Sequence, residues 1–210
     1  MISPDQDPRH RNALFDRSSI ASYRDGYAAK LKSALDSVPP SALDRLAASV
    51  SRVASERAQI FSIGNGGSSA IAEHLCCDWS KGTFSSGHPA VSSRSLTSNN
   101  SIYSAIANDY GFDQVFAGQL QLFASAGDLL IAVSSSGNSA NIIAAVEKAR
   151  ELGLEVVGLT GFSGGRLKDM ADISIHIPAN NYGIVEDAHQ SLIHIVAQFI
   201  AGERDRGPNG

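Results

Sequence analysis

Apolar positions along this chain follow two periods. Unbroken apolar runs at Gln59-Ile60-Phe61-Ser62-Ile63, Asp128 to Ser134, Leu154 to Thr160 and Ile173 to Ile177 predict strands buried on both faces, and Ala90 to Leu96 predicts a shorter one. Elsewhere the spacing is helical. Leu43, Leu46, Ala47, Val50, Val53 and Ala54 recur at three and four residues, with Ser41 as N-cap. An earlier helix is predicted from about Ser19 to Asp36, ending before Pro39-Pro40. Further helices are predicted after Gly67, at Ser101 to Asn108, Asp113 to Ala124, 139 to 152, Gly165 to Met170 and Val185 to Ala201. Strands separated by helices require crossovers that carry the chain back across the sheet. The prediction is an α/β fold: a doubly wound, flavodoxin-like sheet of five parallel strands flanked by helices, preceded by two N-terminal helices. Residues 1–15 read as a loose polar arm, 16–201 as one domain, and 202–210 as a frayed polar tail.

Two strand-to-helix junctions carry candidate chemistry. Gly64-Asn65-Gly66-Gly67-Ser68 follows the first strand, and Ser134-Ser135-Ser136-Gly137-Asn138-Ser139 follows the run from Asp128. Glycine lets backbone approach a ligand, a helix start offers unpaired amides, and serine hydroxyls add rotatable donors. Both are candidate anion cradles suited to a phosphate on a polyol. The first lacks the full dinucleotide pattern, because Ser69 stands three beyond Gly66, and it lacks the P-loop lysine. An ordinary βα turn is the lesser reading of the first, and the apolar strand and helix flanks of the second argue against a flexible Ser/Gly linker.

Composition narrows the class. A chain of 210 residues that is 43% hydrophobic and 18% charged suits one soluble domain with a real core. No run approaches the ~20 apolar residues of a membrane span. The acidic opening lacks the apolar core of a secretory signal, so a cytoplasmic location is expected. A net charge of −4 gives no electrostatic footprint for nucleic acid. Cys76 and Cys77 are adjacent in a predicted helix, where a mutual disulfide would be strained; they read as reduced packing residues rather than a metal or redox pair.

His74 and Asp78 share a helix face by their spacing of four, and Glu186 and His194, eight apart with Gln190 between, roughly share another. Two histidines and two carboxylates can converge as a metal site, as proton-transfer groups, or both. Spacing fits a partly exposed His74 and a buried, satisfied His194 just as well. Lys81 meets either a phosphate or, more simply, solvent.

The ordered set resembles the sugar isomerase (SIS) family of phosphosugar-binding domains, and within it the sedoheptulose 7-phosphate (phosphoheptose) isomerases. It comprises the first turn, His74, Ala107-Asn108-Asp109-Tyr110-Gly111-Phe112, the Ser134 to Ser139 loop, Leu159-Thr160-Gly161 and His194, over roughly residues 20 to 200. The resemblance implies that Asn65, Gly66, Gly67 and Ser68, with Ser134, Ser135, Ser136 and Ser139, hold phosphate and sugar hydroxyls, and that Asp109 contacts the polyol. It implies a divalent metal, usually zinc, among His74, Asp78, Glu186 and His194, with Asp78 and His194 as proton-transfer groups, and a homotetramer. The expected activity is ketose-aldose isomerisation of sedoheptulose 7-phosphate or a related sugar phosphate. The alternative is a non-catalytic phosphosugar scaffold like the relative that partners the bacterial replication initiator. Two departures stand out: the family commonly has glutamate at the position of Asp78 and glutamine at that of Glu186.

Overall fold

The computed structural model describes residues 15–206. Its helices are α1 (Ile20–Asp36), α2 (Pro40–Glu56), α3 (Gly67–Cys77), α4 (Asn100–Tyr110), α5 (Ala117–Phe123), α6 (Ala140–Glu151), α7 (Gly165–Met170) and α8 (Tyr182–Arg206). The strands are β1 (Gln59–Gly64), β2 (Ser92–Ser95), β3 (Leu129–Ser134), β4 (Glu155–Thr160) and β5 (Ile173–His176). All pairings are parallel, in the order β2-β1-β3-β4-β5. Strand order therefore reverses between β1 and β3, and ligands bind at such a reversal outside the carboxyl ends. Both Gly/Ser turns leave the sheet there.

Successive strand residues feed opposite faces, which builds two cores. Leu129, Ile131 and Val133 of β3 join Val157 and Leu159 of β4 under α1, α2, α3 and α8, against Leu46, Val50, Leu75, Leu192 and Val196. Leu130, Ala132 and Val156 point the other way, onto Phe116 and Leu120 of α5, Ile142 and Val146 of α6, and Leu167 of α7. With both faces covered, every residue of β3 is buried, which is why that run carries no alternation.

Several boundaries differ from expectation. Ser41 is not a cap: the helix starts one residue earlier, with Pro40 at its first position, where the missing N–H is no loss. Ser19 does cap α1, accepting from the Ser22 N–H at 3.0 Å. The helix expected at Asp113 to Ala124 is split into a 3-10 turn, Phe112–Gln114, and α5, with fully buried Val115 and Phe116 anchoring the junction. The polar tail instead continues α8 through Arg206. Arg204 donates to the Thr83 carbonyl at 2.8 Å and Ser85 to Asp205 at 3.2 Å, tying that last turn down. At the other end Phe15 is not loose, because its ring packs on Tyr23 with centroids 5.1 Å apart; residues 1–14 of the expected arm lie outside the described residues. Both cysteines are free, with burial pushing the Cys76 thiol pKa up and Cys77 exposed. No helix among the described residues is long and apolar enough to cross a membrane.

Candidate active site

The first cradle is set by backbone. Gly66 adopts φ 55 and ψ −123, a conformation that favours glycine, and a Cβ on Gly64 would strike the Ser68 carbonyl. α3 begins at Gly67, where the Ser68 and Ser69 N–H groups donate to the Asn65 and Gly66 carbonyls at 3.0 Å and the positive end of the helix dipole favours an anion. The second cradle is clamped from beyond. Gly137, at φ +65, packs so closely on Gly164 that a Cβ would meet its carbonyl. The Leu167 N–H donates to the Gly137 carbonyl at 3.0 Å, and the Arg166 N–H to Asn138 Oδ1 at 3.0 Å.

A reciprocal amide pair joins the two cradles. Asn65 and Asn141 exchange Nδ2–H to Oδ1 hydrogen bonds, each 2.9 Å, and Asn141 is only 2% exposed. Between the turns lies a cleft of about 180 Å³ lined by Asn65, Ser68, Ser134, Ser135, Ser136, Ser139, Tyr182 and Glu186. Ser134 Oγ accepts from the Gly137 N–H at 3.2 Å, whereas the buried Ser135 Oγ has no partner. Asn141 and Tyr182 were missed in the sequence. Asn141 could have been read from its place two residues into the second cradle's helix; Tyr182, 43 residues beyond Ser139 at the end of the second cradle, gave none.

The histidines and carboxylates meet at a second station. Asp78 Oδ2 lies 2.7 Å from His194 Nδ1 and 3.2 Å from His74 Nε2, and the two rings meet edge to face with centroids 5.0 Å apart. The Gln190 amide nitrogen faces His194 Nε2 at 3.0 Å, so that nitrogen accepts and Nδ1 carries the proton toward Asp78. The chain folds this way because α3 ends in a π-helical turn, Asp78–Gly82, whose fully buried Trp79 donates through Nε1 to the Ile193 carbonyl at 3.3 Å. That bond seats Asp78 beside the residue following Ile193. The three side chains are 47%, 23% and 41% exposed for His74, Asp78 and His194, so the station opens to solvent.

Glu186 does not join them. Its carboxylate lies over Gly67, where an added Cβ would strike it, and it lines the cleft instead. Burial, with the Asp187 charge second, raises its pKa. Eight residues separate Glu186 from His194, or ~12 Å of helix rise, which carries the two groups to different depths. Gly67 meets Glu186 and Asp78 meets His194, so α3 and α8 run parallel and pack against each other. Asp109 is not brought to the cleft either. It is exposed at the end of α4, accepting from Asn108 Nδ2 at 2.9 Å. Lys81 is exposed to solvent.

Among the described residues His74, Asp78 and His194 offer ligand atoms within 4.8 Å of one another. Two imidazoles and one carboxylate form the donor set of an open catalytic zinc centre, so the residues fit the metal, with three ligands rather than the expected four.

Residues 22–161 match the SIS domain family. The chain belongs to that family. It is 39% identical over 145 residues to the phosphoheptose isomerase of Aliarcobacter butzleri, covering 69% of this chain and 76% of the relative. To the phosphoheptose isomerase of Mycobacterium tuberculosis it is 40% identical over 143 residues, covering 68% and 72%. The solved structure of a phosphoheptose isomerase from Neisseria gonorrhoeae superposes with a TM-score of 0.79 at 30% identity, over 87% of this chain and 97% of that one.

Proposed function

We propose that this SIS protein is a phosphoheptose isomerase that interconverts sedoheptulose 7-phosphate and D-glycero-D-manno-heptose 7-phosphate. The observation that carries this reading is the placement, along the seam of α3 and α8, of a phosphate-sized cleft and a His74-Asp78-His194 station, which together form the substrate groove of this reading. Glu186 at the cleft and His194 at the station are eight residues apart on α8, or ~12 Å, a span comparable to an open seven-carbon chain ending in phosphate. The amides opening α3 and the serines at 134, 135, 136 and 139 hold the phosphate and nearby hydroxyls. The sugar's carbonyl end then lies along the groove at Asp78 and His194.

There the Asp78 carboxylate removes a proton from the hydroxymethyl carbon beside the carbonyl. The electron pair of that C–H bond forms the enediol double bond, and the carbonyl oxygen takes a proton from the His194 imidazole. His194 then accepts the proton of the neighbouring hydroxyl as its C=O forms, and Asp78 returns its proton to the former carbonyl carbon, completing the aldose. His74, Asp78 and His194 would hold a zinc ion, which when bound would stabilise negative charge on the substrate oxygens. His74 and His194 both contact Asp78 Oδ2, so the two imidazoles together orient this carboxylate.

The protein acts in the cytoplasm as a homotetramer. Exposed Phe112, Leu122, Ile195 and Phe199 supply apolar contact surface, and Asp109, exposed outside its own cleft, would meet the polyol only in another subunit's. Mass measured across a dilution series checks the assembly. The activity test is incubation of purified protein with sedoheptulose 7-phosphate, with zinc and with chelator, followed by NMR. Aldose signals that chelator suppresses are expected. No turnover of this or other ketose phosphates by zinc-loaded protein would leave a phosphosugar-binding scaffold.

A further inference from the structure

One peptide unit, Thr160 to Gly161, is held by three partners. Its carbonyl oxygen accepts from the Ile177 N–H at 2.8 Å and lies 3.2 Å from Nε2 of His189 on α8, and its N–H donates to the Ser135 carbonyl at 2.9 Å. A peptide group is planar, so fixing its oxygen also fixes the direction of its N–H. The carbonyl can only accept, which places the imidazole proton on Nε2. His189 is fully buried, and its Nδ1 has no hydrogen-bond partner among the described residues. Burial keeps the ring neutral, lowering its pKa to about 4 despite the Thr160 bond. An apolar side chain of similar size would avoid the cost of that orphaned nitrogen, so the Nε2 bond is what the histidine adds. The approach is tight as well: a Cβ on Gly161 would collide with Val185 of α8.

These contacts link the two halves of the site. α8 carries Glu186 three residues before His189 and His194 five residues after it. Ser135 belongs to the loop that lines the cleft. We propose that His189 is a positioning residue that, through the Thr160-Gly161 peptide, locks the depth and rotation of α8 to the Ser134 to Ser139 loop. Binding and reacting groups are thereby held in one register.

The activity arm of the test rests on the isomerase reading; the exchange arm does not. Full-length His189→Leu and His189→Gln are compared with wild type for hydrogen exchange of the Gly161 amide, inorganic phosphate binding, and kcat and KM on sedoheptulose 7-phosphate. In His189→Leu the Gly161 amide exchanges at least about tenfold faster. Displacement of the reacting groups lowers kcat by up to about a hundredfold, with a smaller change in KM. His189→Gln, which keeps a donor at similar reach, recovers both. A Leu variant with wild-type exchange and kcat and only a shifted Tm overturns the proposal. If the Leu variant does not fold, the tautomer in wild-type protein decides, read from ¹⁵N shifts: a proton on Nε2 supports the coupling and one on Nδ1 overturns it. Wild-type protein lacking turnover removes the isomerase reading while leaving the exchange result standing.

Discussion

The two ends of the groove are built from different materials. At the cleft the backbone sets the shape: Gly64 and Gly137 hold the chain where no side chain fits, Gly66 takes a positive φ, and the serines hang their hydroxyls on that frame. At the reactive station it resides in three side chains, partly open to solvent, on helices that would form without them. The binding end should therefore tolerate changes of functional group but not of volume. The reactive end should behave in the opposite way.

Four changes test that contrast, the largest effect first. Removing the imidazole in His194→Ala should lower kcat by ~10²- to 10⁴-fold while inorganic phosphate still binds, measured by NMR turnover and calorimetry. Gly137→Ala introduces a Cβ against the Gly164 carbonyl at positive φ, and should cost about 3 kcal/mol of stability, read from denaturant unfolding, together with phosphate affinity. Asn141→Leu leaves the Asn65 amide unpaired. It should cost about 1 to 2 kcal/mol and raise KM severalfold with little change in kcat.

The smallest effect is one of pH. Burial raises the folded pKa of Glu186, so the folded state binds its proton more tightly than the unfolded state. Its contribution to stability is fully present below the ordinary glutamate range and is lost as pH rises through the raised value. Glu186→Gln should flatten unfolding midpoints over that window. By removing a carboxylate beside the α3 N-terminus, it should also tighten phosphate binding a few-fold at neutral pH.

The contrast also explains what could be read from the chain. Continuous apolar runs and glycine turns are local signals, and the five strands, their parallel order and the two cradles were all legible from them. Helix ends were less so, because the Arg204 and Ser85 contacts that extend α8 to Arg206 join residues about 120 apart in sequence. The spacing of His74 and Asp78 placed both on one face, yet spacing left open whether His194 would join them, and the family resemblance implied that it would. The contact that brings it there, Trp79 to the Ile193 carbonyl, is tertiary. Helical spacing also could not reveal that Glu186 turns to Gly67 instead of the histidines. The Asn65-Asn141 exchange was hidden for the same reason: two asparagines 76 residues apart carry no local signal of each other.

The most direct test places Asp78→Asn beside wild type, measuring turnover of sedoheptulose 7-phosphate by NMR and inorganic phosphate affinity in the same preparations. The substitution keeps the volume and removes the carboxylate at the reactive station alone. Two separate stations predict that turnover collapses while phosphate affinity stays within about twofold of wild type. Near-wild-type turnover by Asp78→Asn would contradict the assignment of proton transfer to this residue and with it the division of the groove.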